Sequence, residues 1–276
     1  MVPFNPKPEQ EGINHSEQRS LWEYVKLLAS GLTAILLIIG IFGISGEWVL
    51  LRFGWLVEKH VFSSSLLDDL GGKPFPKGKA ILENLVGTEA SQFQVHVICD
   101  DEPNAFAMPG LYIAITSGAL KQIHSETGLA FIIAHEYGHF QNQDHLRGLG
   151  FGLGVSAALS LIGMDQIGAW ITNISGEVLS RQFSQAQEEA ADSVAISLLL
   201  KKYGHLNGAT ELFDHLQKVA GDSPLDSIFS THPLTAKRIA RIQATAQEQH
   251  NSKRLEFKFQ EKKFCKKDRP EKPTAS

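Results

Sequence analysis

The chain has 276 residues and a formal charge of −4 at neutral pH, with 43% hydrophobic and 20% charged residues. That length suffices for one large or two small domains with a real core, and the near-neutral balance argues against nucleic acid as a partner. The average hides an asymmetry: from residue 251 onward there are nine Lys/Arg and four Asp/Glu, leaving −9 on the preceding 250. Such a basic tail fits anionic lipid, an acidic partner or a solvated chain end. Two cysteines, Cys99 and Cys265, are too few for a disulfide framework and lack metal-ligand spacing. Cys99 reads as a core residue, with a bridge to the tail left open.

Residues 1–26 form a polar arm with three prolines. Residues 27–46 carry no charge over twenty positions, the length a helix needs to cross about 30 Å of hydrocarbon. Trp22, Tyr24 and Trp48 flank the run where aromatic belts sit. A cleaved signal peptide is disfavoured by the long arm and the long apolar run, so the segment is expected to be a single transmembrane anchor. Flanking charges (Lys7, Arg19 and Lys26 before it, Arg52 and Lys59 after) favour an inside N-terminus and an extracytoplasmic, periplasmic remainder.

Residues 47–75 read as an amphipathic juxtamembrane segment broken at Gly71-Gly72-Lys73-Pro74-Phe75-Pro76, where the domain boundary is expected. Within 76–249 a helix is expected from Pro76 to Val86 and strands at 93–99, 104–108 and 112–116, with Pro109-Gly110 between the last two. Ser125 can cap the next helix.

That helix carries His135-Glu136-Tyr137-Gly138-His139 within an apolar run. Histidines four apart lie on one helical face, so both imidazoles reach one ion at a Zn–N distance of about 2.0–2.1 Å. Glu136 sits beside such an ion, placed to take a proton from a metal-bound water. A catalytic zinc usually has three protein ligands. Glu188 is one candidate, with Asp192 one turn on to orient a ligand histidine from behind. His145 is the rival, because His135-x3-His139-x2-Asn142-x2-His145 nearly copies the extended three-histidine pattern, and asparagine tolerates the left-handed turn needed there.

Between these sites, residues 148–164 carry no charge. A single membrane crossing there would put metal ligands on opposite faces of the bilayer. The segment through 172 is therefore expected to pack on the domain or rest on the membrane, its small residues allowing close helix approach. Helices are expected at 175–200 and 207–220, and a last one opened by Pro233 and running to Gln249. Residues 250–276 form the basic tail.

The zinc motif, followed by Glu188-x3-Asp192, resembles the HtpX-like membrane metallopeptidases, a family that includes the CAAX prenyl endopeptidases. Asn104-Ala105-Phe106-Ala107 before Pro109-Gly110 resembles that family's substrate-binding edge strand. Ser230-Thr231-His232-Pro233 with Arg238-Ile239 resembles its C-terminal motif. The resemblance covers 76–249 and departs from the family at Gln185, where many members have arginine, and at Leu111, which replaces a second glycine. It implies an α+β, mostly helical zincin domain with a small edge-exposed sheet behind one transmembrane helix. It further implies one Zn2+ held by His135, His139 and Glu188, with Glu136 as base, Asp192 behind the ligands and His232 stabilising the oxyanion. Substrate would lie along Asn104, Ala105, Phe106 and Ala107. The implied function is zinc-dependent hydrolysis of unfolded or membrane-proximal polypeptides in quality control. Two alternatives stand beside it: a membrane-anchored scaffold with a structural zinc, and a zymogen covered by 148–172.

Overall fold

The computed structural model describes residues 20–61, 70–147, 149–161, 163, 182–220, 231–233, 235–247 and 255–265. The expectations for the arm before residue 20, the polar stretch 164–181, Ser230 and the tail beyond 265 lie outside the described residues.

Helix α1 (Leu21–Val61) is longer than the expected span and absorbs much of the juxtamembrane segment, with non-helical dihedrals at Phe53 marking a kink. Its apolar stretch, Leu21–Gly54, is long enough to cross a bilayer. Leu27, Leu28, Leu32, Leu36, Leu37 and Ile41 are exposed on it. The uncharged run forms α5 (Leu149–Leu161), which packs along α1 rather than on the catalytic core. Glycines make the approach possible. A Cβ on Gly154 would lie 1.9 Å from the Phe42 carbonyl oxygen, and one on Gly46 2.3 Å from that of Gly150.

The sheet has four strands in the order β1-β2-β4-β3: β1 (Lys73–Pro74), β2 (Gln94–Ile98), β3 (Ala105–Met108) and β4 (Tyr112–Thr116). Strand β1 occupies the Gly/Pro-rich break, where the sequence suggests only a linker. It is a two-residue edge, so its proline costs little pairing. β2 and β4 run parallel with Val95 opposite Ile113, and β3 returns antiparallel on β4 with Phe106 opposite Ala114. The β3–β4 turn puts Leu111 at φ 66°, a left-handed conformation that suits glycine at this position.

Alternation splits the sheet into two buried faces. Val95, Val97, Ile113 and Ile115 face α2 (Pro76–Val86), α4 (Glu126–Gln141) and α6 (Gln185–Tyr203) in the larger core. Ile98, Phe106, Met108, Tyr112 and Ala114 form the smaller core with Leu50 of α1 and with Leu146 and Leu149. The N-terminal helix is thus part of the fold as well as an apolar span.

Helix α4 is buried from Thr127 to Phe140, capped by the Ser125 side chain on the Gly128 amide. α6 starts at Gln185, later than sequence suggests, because Ser184 and Gln187 close a capping box there. Short α3 (Ser117–Lys121) precedes α4, and α7 (Glu211–Ala220) follows α6. α8 (Ala236–Gln247) begins three residues beyond Pro233, so the proline precedes the helix and does not open it. A strap, residues 255–265, ends in α9 (Glu261–Phe264), and its Leu255 carbonyl accepts from the Glu126 amide at the start of α4. Cys265 closes a disulfide with Cys99 at the end of β2, settling the pairing that sequence leaves open.

Candidate metal centre

α4 and α6 lie side by side, and Gly138 lets them touch: a Cβ there would sit 2.9 Å from the Ala191 Cα. This contact brings His135 and His139 against Glu188. The two Nε2 atoms lie 3.2 Å apart, and Glu188 approaches them at 3.4 and 3.5 Å. His232 joins from the segment before α8, its Nδ1 2.9 Å from Glu188 Oε1 and 3.4 Å from His135 Nε2. All four donor atoms fall within 4.8 Å of one another, and all four residues are buried.

The arrangement fits a cation. Asp192 Oδ1 lies 3.0 Å from His135 Nδ1, and Asp144 Oδ2 accepts from His139 Nδ1 at 3.0 Å. With His139 Nδ1 on Asp144 and His135 Nδ1 facing Asp192, the two Nε2 atoms converge on one spot that calls for a positive charge between them. Burial opposes protonation of His135, yet Asp192 and Glu188 outweigh it and hold that imidazole at about 10. Burial likewise pushes the Glu188 carboxyl upward, and His232, His135 and His139 overcome it to hold the group far below the usual carboxylate range. Dense negative charge facing imidazoles is the environment of a divalent metal.

Glu136 is 2% exposed, with Oε1 3.6 Å from His232 Nε2 and Oε2 without a hydrogen-bond partner among the described residues. It borders a small pocket that also touches Ala105, Phe131, Ile132, Leu212, Phe213, His135 and His232. Phe183 stacks on His139, ring centroids 4.0 Å apart. Three hydrogen bonds hold the short stretch carrying His232. The Phe183 amide donates to the Thr231 carbonyl, Thr231 Oγ1 to Asn104 Oδ1, and Arg238 Nη1 to the Pro233 carbonyl. His232 is thus fixed by an irregular segment, not by a helix N-terminus.

His145 stands apart from the cluster. Its Nε2 bonds Glu58 of α1, so the rival third-ligand reading fails on geometry. Asn142 is right-handed at the end of α4, and Gln143 takes the left-handed turn at φ 56°. Ala105, Phe106 and Ala107 lie on the outer strand β3, with Asn104 just before it, and all four are buried.

Two supporting residues carry no role in the sequence reading. One is Asp144. The other is Arg238, whose Nε and Nη2 donate to both Asp192 oxygens at 2.8 Å while Nη1 contacts Glu188 Oε2. The only sequence signal for Arg238 was its place in the C-terminal motif.

Two histidines one turn apart with an intervening glutamate, completed by a buried carboxylate from a second helix, define a zincin-type metallopeptidase site. The model of peptidase family M48 matches residues 78–246, and the chain belongs to that family. Its relatives include the mitochondrial metalloendopeptidase OMA1 of Schizosaccharomyces pombe, 31% identical over 57% of this chain and 48% of that protein. The metalloprotease LoiP of Escherichia coli is 27% identical over 58% and 65% of the respective chains. A protease HtpX homolog of Burkholderia ambifaria is 24% identical over 82% and 97%. The chain spans about half the length of the OMA1 relative from Schizosaccharomyces pombe and less of that from Arabidopsis thaliana.

Proposed function

We propose that this chain is a membrane-anchored zinc metalloendopeptidase that hydrolyses peptide bonds in unfolded or membrane-proximal proteins, a quality-control role. The observation that carries the reading is Glu136, a buried carboxylate with an unpartnered oxygen beside the donor cluster. Burying such a group costs several kcal/mol without a partner, and a purely structural metal site has no use for it.

His135, His139 and Glu188 would hold the zinc, which when bound supplies a Lewis acid that polarises the scissile carbonyl and acidifies water. Glu136 accepts the proton of the attacking water and returns it to the leaving amine. His232 engages Glu188 through Nδ1 and turns Nε2 toward Glu136, so it can donate to the carbonyl oxygen as negative charge develops. Asp192 and Asp144 orient the two ligand imidazoles, and Arg238 fixes Glu188 and Asp192. The substrate main chain would add to β3, which pairs only with β4 among the described residues.

α1 supplies the anchor, and α5 extends the membrane contact along it. The Cys99–Cys265 disulfide favours an oxidising compartment, supporting a periplasmic or otherwise extracytoplasmic catalytic domain.

A second reading rests on His232. Four protein donors are the pattern of a closed structural zinc, which would make the chain a scaffold. Casein hydrolysis by the full chain in detergent separates the two. Activity is expected to vanish with a chelator and to fall roughly 10²–10⁴-fold in Glu136→Gln with zinc content unchanged. Hydrolysis surviving Glu136→Gln eliminates that residue as base, and a wild type that binds zinc but cleaves nothing favours the scaffold.

A further inference from the structure

The two ligand imidazoles are braced from opposite directions. His135 is braced by Asp192 of α6, within the same bundle. His139 is braced by Asp144, which opens a short 3-10 turn, Asp144–Leu146, just past the end of α4. Asp144 is buried, and its second oxygen accepts from Gln187 Nε2 at 2.8 Å.

This turn has little intrinsic support. It is entered through Gln143 in the left-handed region, which side chains other than glycine adopt at a cost. What holds its far side is the N-terminal helix. His145 directs Nε2 at Glu58 Oε1, and both side chains are almost wholly buried, at 2% and 5% exposure. Leu146 closes against Gly54, where a Cβ would come within 2.4 Å of its Cδ1. Leu50 packs with Leu146 and Leu149 in the smaller core. The His145 ring also lies 4.2 Å from that of Phe140 on α4, beside His139 in sequence.

We propose that Glu58 is a positioning residue of the metal centre: by holding His145 it sets the turn that presents Asp144 to His139. The inference rests on the reading of His139 as a zinc ligand. Glu58 lies five residues past the kink at Phe53, where α1 leaves its apolar stretch. A burial this deep requires a partner for the carboxylate, and the partner sits next to the residue that orients the ligand. Seating of the anchor and grip on the metal are then one event. Displacing α1 within the membrane moves Asp144 without any contact between α1 and the metal.

The test uses the full chain in detergent, with zinc affinity read by competition with a chelator and kcat and KM read separately. Glu58→Ala is expected to weaken zinc affinity up to about 10-fold, less than the roughly 10–100-fold lost when a group bonded directly to a metal ligand is removed. In zinc-saturated enzyme kcat should fall while KM stays within about twofold. Glu58→Gln, which keeps a hydrogen bond to His145, should recover most of both. Leu50→Ala damages the same interface through packing alone and should lower the melting temperature with a smaller loss of zinc affinity than Glu58→Ala. If Glu58→Ala does not fold, His145→Gln carries the same comparison. Zinc affinity unchanged in Glu58→Ala, or lost equally in Leu50→Ala, overturns the proposal. Because the zinc measurement needs no substrate, a chain that binds zinc with this Glu58 dependence yet cleaves no peptide refutes the peptidase reading alone.

Discussion

Replacing Arg238 by alanine removes both guanidinium donors from Asp192 and the cation paired with Glu188, at a site where the arginine side chain is 1% exposed. The magnitude can be approached from two sides. Breaking a buried ion pair by deleting one partner costs about 3–5 kcal/mol, because the stranded charge keeps its desolvation penalty. Independently, burial raises the Asp192 carboxyl while Arg238 and His135 bring it from 3.8 down to about 2. That drop corresponds to roughly 2.5 kcal/mol at neutral pH, shared between the two partners. Glu188 loses its paired cation as well, so a total of about 3–5 kcal/mol is consistent. At roughly 2–4 °C per kcal/mol for a chain of this size, the melting temperature should drop by about 6–20 °C. Scanning calorimetry on the zinc-free chain in detergent measures it apart from metal binding. Arg238→Lys keeps the charge but loses the planar fork, and should fall between the two. A shift under about 2 °C in Arg238→Ala would refute the reasoning, since two carboxylates cannot stay buried and ionised at so small a cost.

Reducing the Cys99–Cys265 bridge, or making Cys99→Ser, frees the end of a 166-residue separation and should cost about 2–5 kcal/mol, with limited proteolysis then cutting within 255–265. Gly154→Val drives a side chain into the Phe42 carbonyl and should part α5 from α1, seen as loss of an engineered cysteine cross-link between them. Tyr137 donates to Glu89, and burial together with that carboxylate pushes its phenol up to about 12. Its stabilising contribution is complete below its unfolded value near 10 and disappears as pH rises through about 12. Alkaline unfolding should therefore lose its steepest component between those values in Tyr137→Phe, and an unchanged profile would discount the bond.

The parts of the site legible in the sequence are those governed by a helical repeat. His135 and His139 share a face of α4, Glu188 and Asp192 share a face of α6, and both pairs meet as their spacing implies. The strands 104–108 and 112–116 also follow from alternation and the Pro109-Gly110 punctuation. The rest depends on contacts remote in sequence, which carry no local period. Glu58 meets His145 across 87 positions, and Arg238 meets Asp192 across 46. Asp144 is hidden differently. The left-handed turn falls on Gln143, not on Asn142, and this redirects the following residues so that the carboxylate turns back to His139 while His145 turns away. The uncharged run 148–164 is expected to pack on the domain or rest on the membrane, whereas its helix, Leu149–Leu161, lies chiefly along α1, a neighbour that no local period reveals.

The hold of α8 on α6 bears on when the donor cluster takes its final shape during synthesis. A ribosome delivers the histidines, then the glutamate and aspartate, and only much later the arginine that locks those two acids in place. A chain still being made, or one cut short before residue 238, holds every proposed zinc ligand yet lacks the clamp that fixes Glu188. The grip of Arg238 on Glu188 and Asp192 is therefore completed only after residue 238 has been made.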